Sequence, residues 1–335
     1  MSTYECPVIK IKLEPHPDAN SLSLVKYGNF TLVVKTAQWK DGDLAVHIPE
    51  DYCVPDTEQF AFLGNSKRIK PKKFRGIWSD GILIKAPDGL GIGENAMEIL
   101  GIKRYDPEIE ISFNNDNEAE PIGNWPRYDV EGYKKYADWF NLGEQVVCTE
   151  KIHGASARFV YIESYHHFPE PDPRDGSSPI VTGRMYCGSR TNWKKQSEKD
   201  PWWKALQQNP WIEIWCKANP GYALYGEIFG QVQNLKYGCE PNQIRFAIFD
   251  IRHDRIWLNH DIARDMGHGL FWVPEIYRGP LDLNRISELI ECDSVVGGKG
   301  HIMEGCVIKP LIERELHGGD RVQLKLISKR YFNEK

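Results

Sequence analysis

Lys151 lies in the run Glu150-Lys151-Ile152-His153-Gly154, and a primary amine there is a nucleophile wherever it can be held neutral. A free lysine titrates near 10.4, so roughly one amine in a thousand is neutral at neutral pH. Cations such as Lys309 and Lys325, or a divalent metal, would disfavour the ammonium form, and the preceding run QVVCTE would partly desolvate it. Attack on phosphorus also needs positive charge around the developing phosphoryl oxygens, which the same two lysines can supply. A single KxxG is weak, because a chain rich in Lys and Gly contains one by chance, and alone Lys151 reads as surface. The weight comes from order. After Lys151 follow Gly188-Ser189-Arg190, Tyr225-Gly226-Glu227, Phe246 to Asp250, Glu304-Gly305-Cys306-Val307-Ile308-Lys309 and then Lys325.

This series resembles motifs I, Ia, III, IIIa, IV and V of the covalent nucleotidyltransferases, the superfamily of RNA ligases, DNA ligases and capping enzymes, over about residues 125–332. EKIHGAS, with its KxHG form of motif I, is similar to the nick-sealing RNA ligases, whereas DNA ligases usually carry KxDG. With an amino-terminal OB-like segment, the phrase ILGIKRYDP and no domain after motif V, the chain resembles the Deinococcus-type RNA ligase family. The resemblance implies an ATP-dependent RNA ligase that passes through lysine-AMP and AppRNA to join 3′-hydroxyl and 5′-phosphate ends at nicks, with Mg²⁺ or Mn²⁺ as cofactor. A DNA ligase, or an RNA-binding protein on a decayed scaffold, is the alternative.

The same resemblance implies the roles. Lys151 is the nucleophile, Arg190 braces its side of the site, and His153 serves a step after lysine charging. Glu150 stands where the family reads the adenine edge through the chain, and Phe249 would stack on the base. Glu227 touches ribose or metal water, Glu304 binds metal, and Lys309 and Lys325 face the phosphate. One departure stands out: the phage relatives carry two motif V lysines spaced by one residue, and here the pair is Gln323 and Lys325. Gln323, Lys329 and Arg321 are the candidates to replace the first cation.

These residues need strands to hold them. QVVCTEKI, ARFVYIE, YALYGEIFG, IRFAIFDI, GCVIKP and VQLKLIS read as strands, and 198–218 and 282–292 as helices. Before them VIKIK, FTLVVK, LAVHI and ILIK are short β-runs parted by turns such as HPDAN and WKDGD. With PHPDANSLSLVKYG and KKFRGIWSDGILI, residues 5–90 resemble the OB-like barrels of tRNA-binding modules. Residues 105–131 carry eight acidic side chains against one Arg and read as a connector. The expected fold class is therefore α+β. An OB-like β-barrel for nucleic acid occupies 1–110, an acidic connector 111–130, and a nucleotidyltransferase domain of antiparallel sheets with flanking helices 131–335.

Lys67, Arg68, Lys70, Lys72, Lys73 and Arg75 put six cations within nine residues, with Trp78 close behind. On an OB-like module such a run reads as a phosphate-tracking patch, so RNA or a nicked RNA-containing duplex is the expected partner. Trp202, Trp203, Trp211 and Trp215 recur at helical spacing and read as core. His166 and His167 point apart in a loop-like run and read as loop rather than metal site.

Composition bounds the rest. A net charge of −5 argues against a uniformly basic coat, and eight scattered cysteines without a CxxC pair suggest reduced thiols in an intracellular compartment. No run approaches the roughly 20 apolar residues that span a bilayer, and the start lacks a leader pattern. The expectation is a soluble, intracellular protein with no membrane and no obligate protein partner.

Overall fold

The computed structural model describes residues 5–105, 117–165, 181–317 and 319–333. His166, His167 and the start of the FNNDNEAEPIGNWP run lie outside them. Contacts divide the chain into two units, one of residues 1–110 with 131–137 and 332–335, the other of residues 111–130 and 138–331.

In the first unit, strands Val8–Lys10, Leu44–Ile48 and Ile82–Lys85 form one antiparallel sheet, and Glu14–His16, Ala19–Tyr27 and Phe30–Lys35 form another. Lys72–Phe74 and Ile77–Ser79 make a separate hairpin. The central sheet is buried on both faces. Val8, Val46 and Ile84 pack with Phe60, Ile69 and Ile102, while Ile9, Ala45 and Leu83 pack with Val25, Leu32 and Trp39. Two buried faces explain why LAVHI shows no alternation of charge, while the exposed Lys10 and Lys12 fall at the end of VIKIK.

The expected OB-like β-barrel is not present, because among the described residues no sheet closes on itself. Closure requires each strand to hydrogen-bond two neighbours around a ring. Here one main-chain bond, Asp80 N to Thr31 O at 2.8 Å, is joined by two to side chains: Val33 N donates to Ser79 Oγ at 3.0 Å and Thr31 N to Asp80 Oδ2 at 3.0 Å. The fold class is α+β with several open antiparallel sheets and flanking helices.

In the second unit a seven-stranded antiparallel sheet runs Asn117–Glu118, Trp193–Lys194, Val181–Gly188, Ala155–Tyr165, Tyr222–Gly230, Ile244–His253, Ile256–Trp257. One face carries Ala155, Ala157, Phe159, Leu224 and Ile228 against helices Pro201–Gln208 and Trp211–Ala218, with Trp202, Trp203 and Trp215 in that core and Trp211 packed on it. The expected single helix over 198–218 is two. Pro210 lacks an N–H and pushes Asn209 out of helical backbone, at φ −125° and ψ 69°. Alternation turns Ser156, Arg158, Tyr225 and Glu227 to the opposite face. A second antiparallel sheet has the order Leu324–Ile327, Gly305–Pro310, Gln145–Glu150, Glu275–Pro280. Among the described residues no helix is long and apolar enough to cross a membrane.

Each unit holds a buried neutral histidine. Burial pulls His47 down from 6.5 to about 4 against the opposing bond to the Asp80 carbonyl, and burial with Lys309 does the same to His260. The folded values are depressed, so both rings are neutral in either state above pH 6.5. Below it the unfolded chain binds protons that the folded chain refuses, and stability is lost progressively as pH falls through about 4. Each ring accounts for about 3 kcal/mol across that window. Urea midpoints of the wild type should fall from pH 6.5 to 4, and His47→Asn should flatten part of the slope. Parallel curves for variant and wild type would count against this.

Candidate active site

Lys151 follows directly on strand Gln145–Glu150, and its N–H donates to the Gly305 carbonyl at 2.9 Å. The side chain then reaches Glu304, Nζ to Oε1 at 2.9 Å. Burial alone would raise the Glu304 carboxyl, but the Lys151 ammonium, first among the opposing charges, holds the group at about 2. The second oxygen, Oε2, is buried without a hydrogen bond and lies 3.5 Å from His153 Nδ1. Two glycines allow this approach. A Cβ on Gly154 would lie 2.1 Å from the Ile228 carbonyl, and one on Gly305, at φ +152°, 2.1 Å from the Leu326 carbonyl.

Glu150 turns the other way. It accepts from Ser294 Oγ, Val295 N at 2.9 Å and Val296 N at 3.3 Å, so its carboxylate fastens the 294–296 turn beneath the nucleophile. His153 is buried, with Nε2 against Asn234 Oδ1 at 2.8 Å, Nδ1 against Tyr331 Oη at 3.1 Å, and its backbone N–H donating to Tyr237 Oη at 2.6 Å. Glu227 Oε1 accepts from Gly154 N at 3.1 Å. Lys151, His153, Glu227 and Glu304 are thus linked through direct bonds and Gly154.

Phe249 and Asp250 end the same neighbourhood on strand Ile244–His253. Asp250 is fully buried and accepts from Lys309 Nζ at 3.0 Å, Arg321 Nη2 at 3.1 Å and the Tyr128 hydroxyl. Burial pushes its carboxyl up, yet the two cations hold it below the usual range. Lys309 also donates to the Phe249 carbonyl at 3.0 Å, so its ammonium is tied to the main chain of that residue. The Phe249 ring lies 4.2 Å from that of Tyr128, centroid to centroid.

Tyr128 belongs to a segment that composition alone describes as acidic. Residues 124–129 lie along the seven-stranded sheet: Arg158 donates to the Trp125 carbonyl, Tyr225 Oη to Pro126 O at 3.0 Å, and Arg252 Nε to Asn124 O at 3.2 Å. Asp129 meets Arg190 at 3.6 Å, and its carbonyl accepts from Gln323 Nε2 at 2.8 Å. Gln323 is therefore engaged on the chain, and Arg321 lies in the Asp250 and Glu313 pairs. Lys329 is exposed. Lys325 is half-buried, on a strand opposite Val307.

Asn234, Tyr237, Ser294 and Tyr331 escaped sequence reasoning. Polar and aromatic residues of these types are common, and only the fold brings them to motif I. Tyr128 carried a faint signal, an aromatic three residues after Trp125 inside an otherwise polar run.

The donor set suits a hard divalent ion. Glu304 offers a buried oxygen with no hydrogen bond, and Glu227 is joined to the same loop through Gly154. Among the described residues no group of three or more His, Cys, Asp or Glu surrounds a metal position. Two carboxylates match an ion that keeps most of its waters, as Mg²⁺ does.

A family model described as RNA ligase matches residues 144–327, just over half of the chain and every strand named above for the site's motifs. The chain belongs to the RNA ligase family. A model described as an OB-fold domain matches residues 7–86 of this RNA ligase family member. That relation is one of sequence, since the sheets there remain open. No curated protein matches the chain. Among solved structures, a Naegleria gruberi RNA ligase, a lysine-to-alanine mutant with ATP and Mn, shares its fold at TM-score 0.73 and 20% identity, covering 99% of both chains. The Naegleria gruberi RNA ligase with PPi gives 0.71 at 20% identity over 98% of both chains. A glutamate-to-alanine mutant with AMP and Mn gives 0.72 at 20%, also over 98% of both.

In the other unit the basic run is divided. Lys67 pairs with Asp56 at 2.6 Å, and Arg68 pairs with Asp51 and lies 3.9 Å over the Tyr105 ring. Lys72 and Lys73 are exposed on the hairpin, with Lys73 Nζ 5.9 Å from the Trp78 ring. Arg75 occupies its tip at φ +44°.

Proposed function

We propose that this RNA ligase family member is an ATP-dependent RNA ligase of the Deinococcus-type, nick-sealing kind, joining a 3′-hydroxyl to a 5′-phosphate through Lys151-AMP and AppRNA. The observation that carries the reading is Lys151 Nζ 2.9 Å from Glu304, with His153 at the same carboxylate. An ammonium held by a carboxylate has no lone pair to offer, so the amine must leave Glu304 and lose a proton before it attacks. Glu304 and Glu227 would hold Mg²⁺ or Mn²⁺, which when bound supplies charge neutralisation at the phosphates and favours the neutral amine.

The remaining roles are read from position. Phe249 offers a half-buried ring for adenine, Glu150 holds the backbone that leads to the nucleophile, and Arg190 and Lys325 supply positive charge for phosphate oxygens. Lys309 acts through Asp250, keeping the floor of the nucleotide site in place. In the unit of residues 1–110, Lys72, Lys73 and Arg75 with Lys67, Arg68 and Lys70 would track the polynucleotide backbone. Residues 131–137 are counted with that unit.

Incubation with α-labelled ATP, GTP or NAD should label the protein from ATP alone. Sealing should then be strongest at nicks whose 3′-hydroxyl end is RNA, in a matrix of all-RNA, all-DNA and hybrid nicks. Absence of any ATP-derived adduct with Mg²⁺ or Mn²⁺ would sink the reading.

His153→Ala should separate the steps. ATP brings its own triphosphate to lysine charging, whereas transfer to a polynucleotide 5′-phosphate has no such surplus of contacts. Charging should change less than about threefold and transfer fall roughly a hundredfold. Equal losses in charging, transfer and sealing of a pre-adenylylated nick would return His153 to a purely structural part.

A further inference from the structure

We infer that Asn234 is a positioning residue for His153, fixing the tautomer that presents Nδ1 to Glu304 and the nucleophile. The inference rests on the reading of His153 given above. The two ring nitrogens of a neutral imidazole differ: one carries the proton and the other the lone pair. Asn234 Oδ1, 2.8 Å from Nε2, can only accept, so Nε2 carries the proton. Nδ1 is then the acceptor, and it takes the Tyr331 hydroxyl proton at 3.1 Å.

The ring is held at both nitrogens and at its own backbone, where Tyr237 Oη accepts from His153 N at 2.6 Å. Asn234 and Tyr237 come from one short segment after strand Tyr222–Gly230, so a single stretch of chain grips both the ring and its main chain. Tyr237 is locked in turn. It takes left-handed backbone at φ +50°, its N–H donates to His301 Nε2 at 3.1 Å, and the two rings stack at 4.4 Å. His301 Nδ1 is the donor toward the Ile302 carbonyl at 3.0 Å, which leaves Nε2 as the acceptor that Tyr237 needs.

This arrangement puts an acceptor nitrogen 3.5 Å from Glu304 Oε2, which has no hydrogen bond of its own. The opposite tautomer would turn an Nδ1–H toward Glu304 and leave Asn234 Oδ1 without its donor. Asn234 thereby keeps the His153 proton off the carboxylate that Lys151 uses.

The test measures charging of Lys151, AMP transfer to a 5′-phosphorylated nick and sealing of a pre-adenylylated nick in the full chain. Asn234→Leu should slow transfer roughly tenfold, the loss of one oriented hydrogen bond, with charging nearly unchanged. Asn234→Asp, which keeps the acceptor, should recover transfer to within about threefold of wild type. Asn234→Leu combined with His153→Ala should be no slower than His153→Ala alone, because both remove one function. Transfer losses that multiply in the double variant, or Asn234→Asp as poor as Asn234→Leu, would overturn the inference. Nitrogen-15 spectra of the histidine-labelled wild type give an independent check. They should show the proton on His153 Nε2, and a proton on Nδ1 would overturn it without any variant. If the wild type forms no lysine-AMP, the functional reading fails first. If His153→Ala is selective and Asn234→Leu is silent, only this inference fails.

Discussion

Lys151→Ala should remove the ATP-derived adduct entirely and lower sealing of a 5′-phosphate nick by roughly a thousandfold or more, as loss of a covalent nucleophile does. Lys309 is not free to take over. It is tied to Asp250 and the Phe249 carbonyl, and the main chain of Lys151 is fixed by Gly305. The variant leaves Glu304 without its partner in a buried setting, at a cost of about 1–3 kcal/mol. It should remain folded and still bind RNA, which circular dichroism and a filter-binding assay would establish. A labelled, acid-stable adduct in the folded variant would refute Lys151 as the nucleophile.

Asp250→Asn should be the most destabilising single conservative change in the second unit. The amide keeps the shape but leaves Lys309, 3% exposed, and Arg321, 8% exposed, facing no charge at that position. Breaking a buried pair from one side costs about 3–5 kcal/mol. Denaturant titration should show that loss, and Lys309→Met added to Asp250→Asn should return part of it by removing a stranded cation. The affinity for ATP should fall as well, since this carboxylate holds Lys309, which bonds the Phe249 main chain, and Tyr128, whose ring packs on Phe249. A loss below about 1 kcal/mol would mean that Glu313 alone satisfies Arg321 and that Lys309 finds water.

The convergence of the motif residues was legible because their order along the chain follows the strands that carry them. Lys151, Glu304 and His153 meet in the structure although they are scattered in sequence, and the strands beneath them announced themselves by apolar runs. Two kinds of feature were not legible. Barrel closure depends on which N–H finds which carbonyl across distant strands, and Ser79 and Asp80 intercept those bonds without changing the β-pattern of FTLVVK or ILIK. The partners of His153 were hidden for a different reason: Asn234, Tyr237 and Tyr331 have no spacing relation to motif I. The break at Asn209-Pro210 was written in the sequence, since Pro disfavours helix at the residue before it, but the tryptophan period ran across it.

The site is also assembled from very distant parts of the chain. Lys151 and Glu304 are 153 residues apart, His153 and Tyr331 178, and Asp129 and Gln323 194. Such long-range closure makes folding slow, because chain entropy is lost before the contacts form. At a synthesis rate of about 5–20 residues per second, the ribosome needs on the order of ten to forty seconds between making His153 and making Tyr331. Until Glu304 is made the nascent chain carries the amine without its carboxylate, and until Tyr331 is made the His153 ring lacks one of its partners. The site would thus emerge incomplete and close only once the stretch from Glu304 to Tyr331 has left the tunnel.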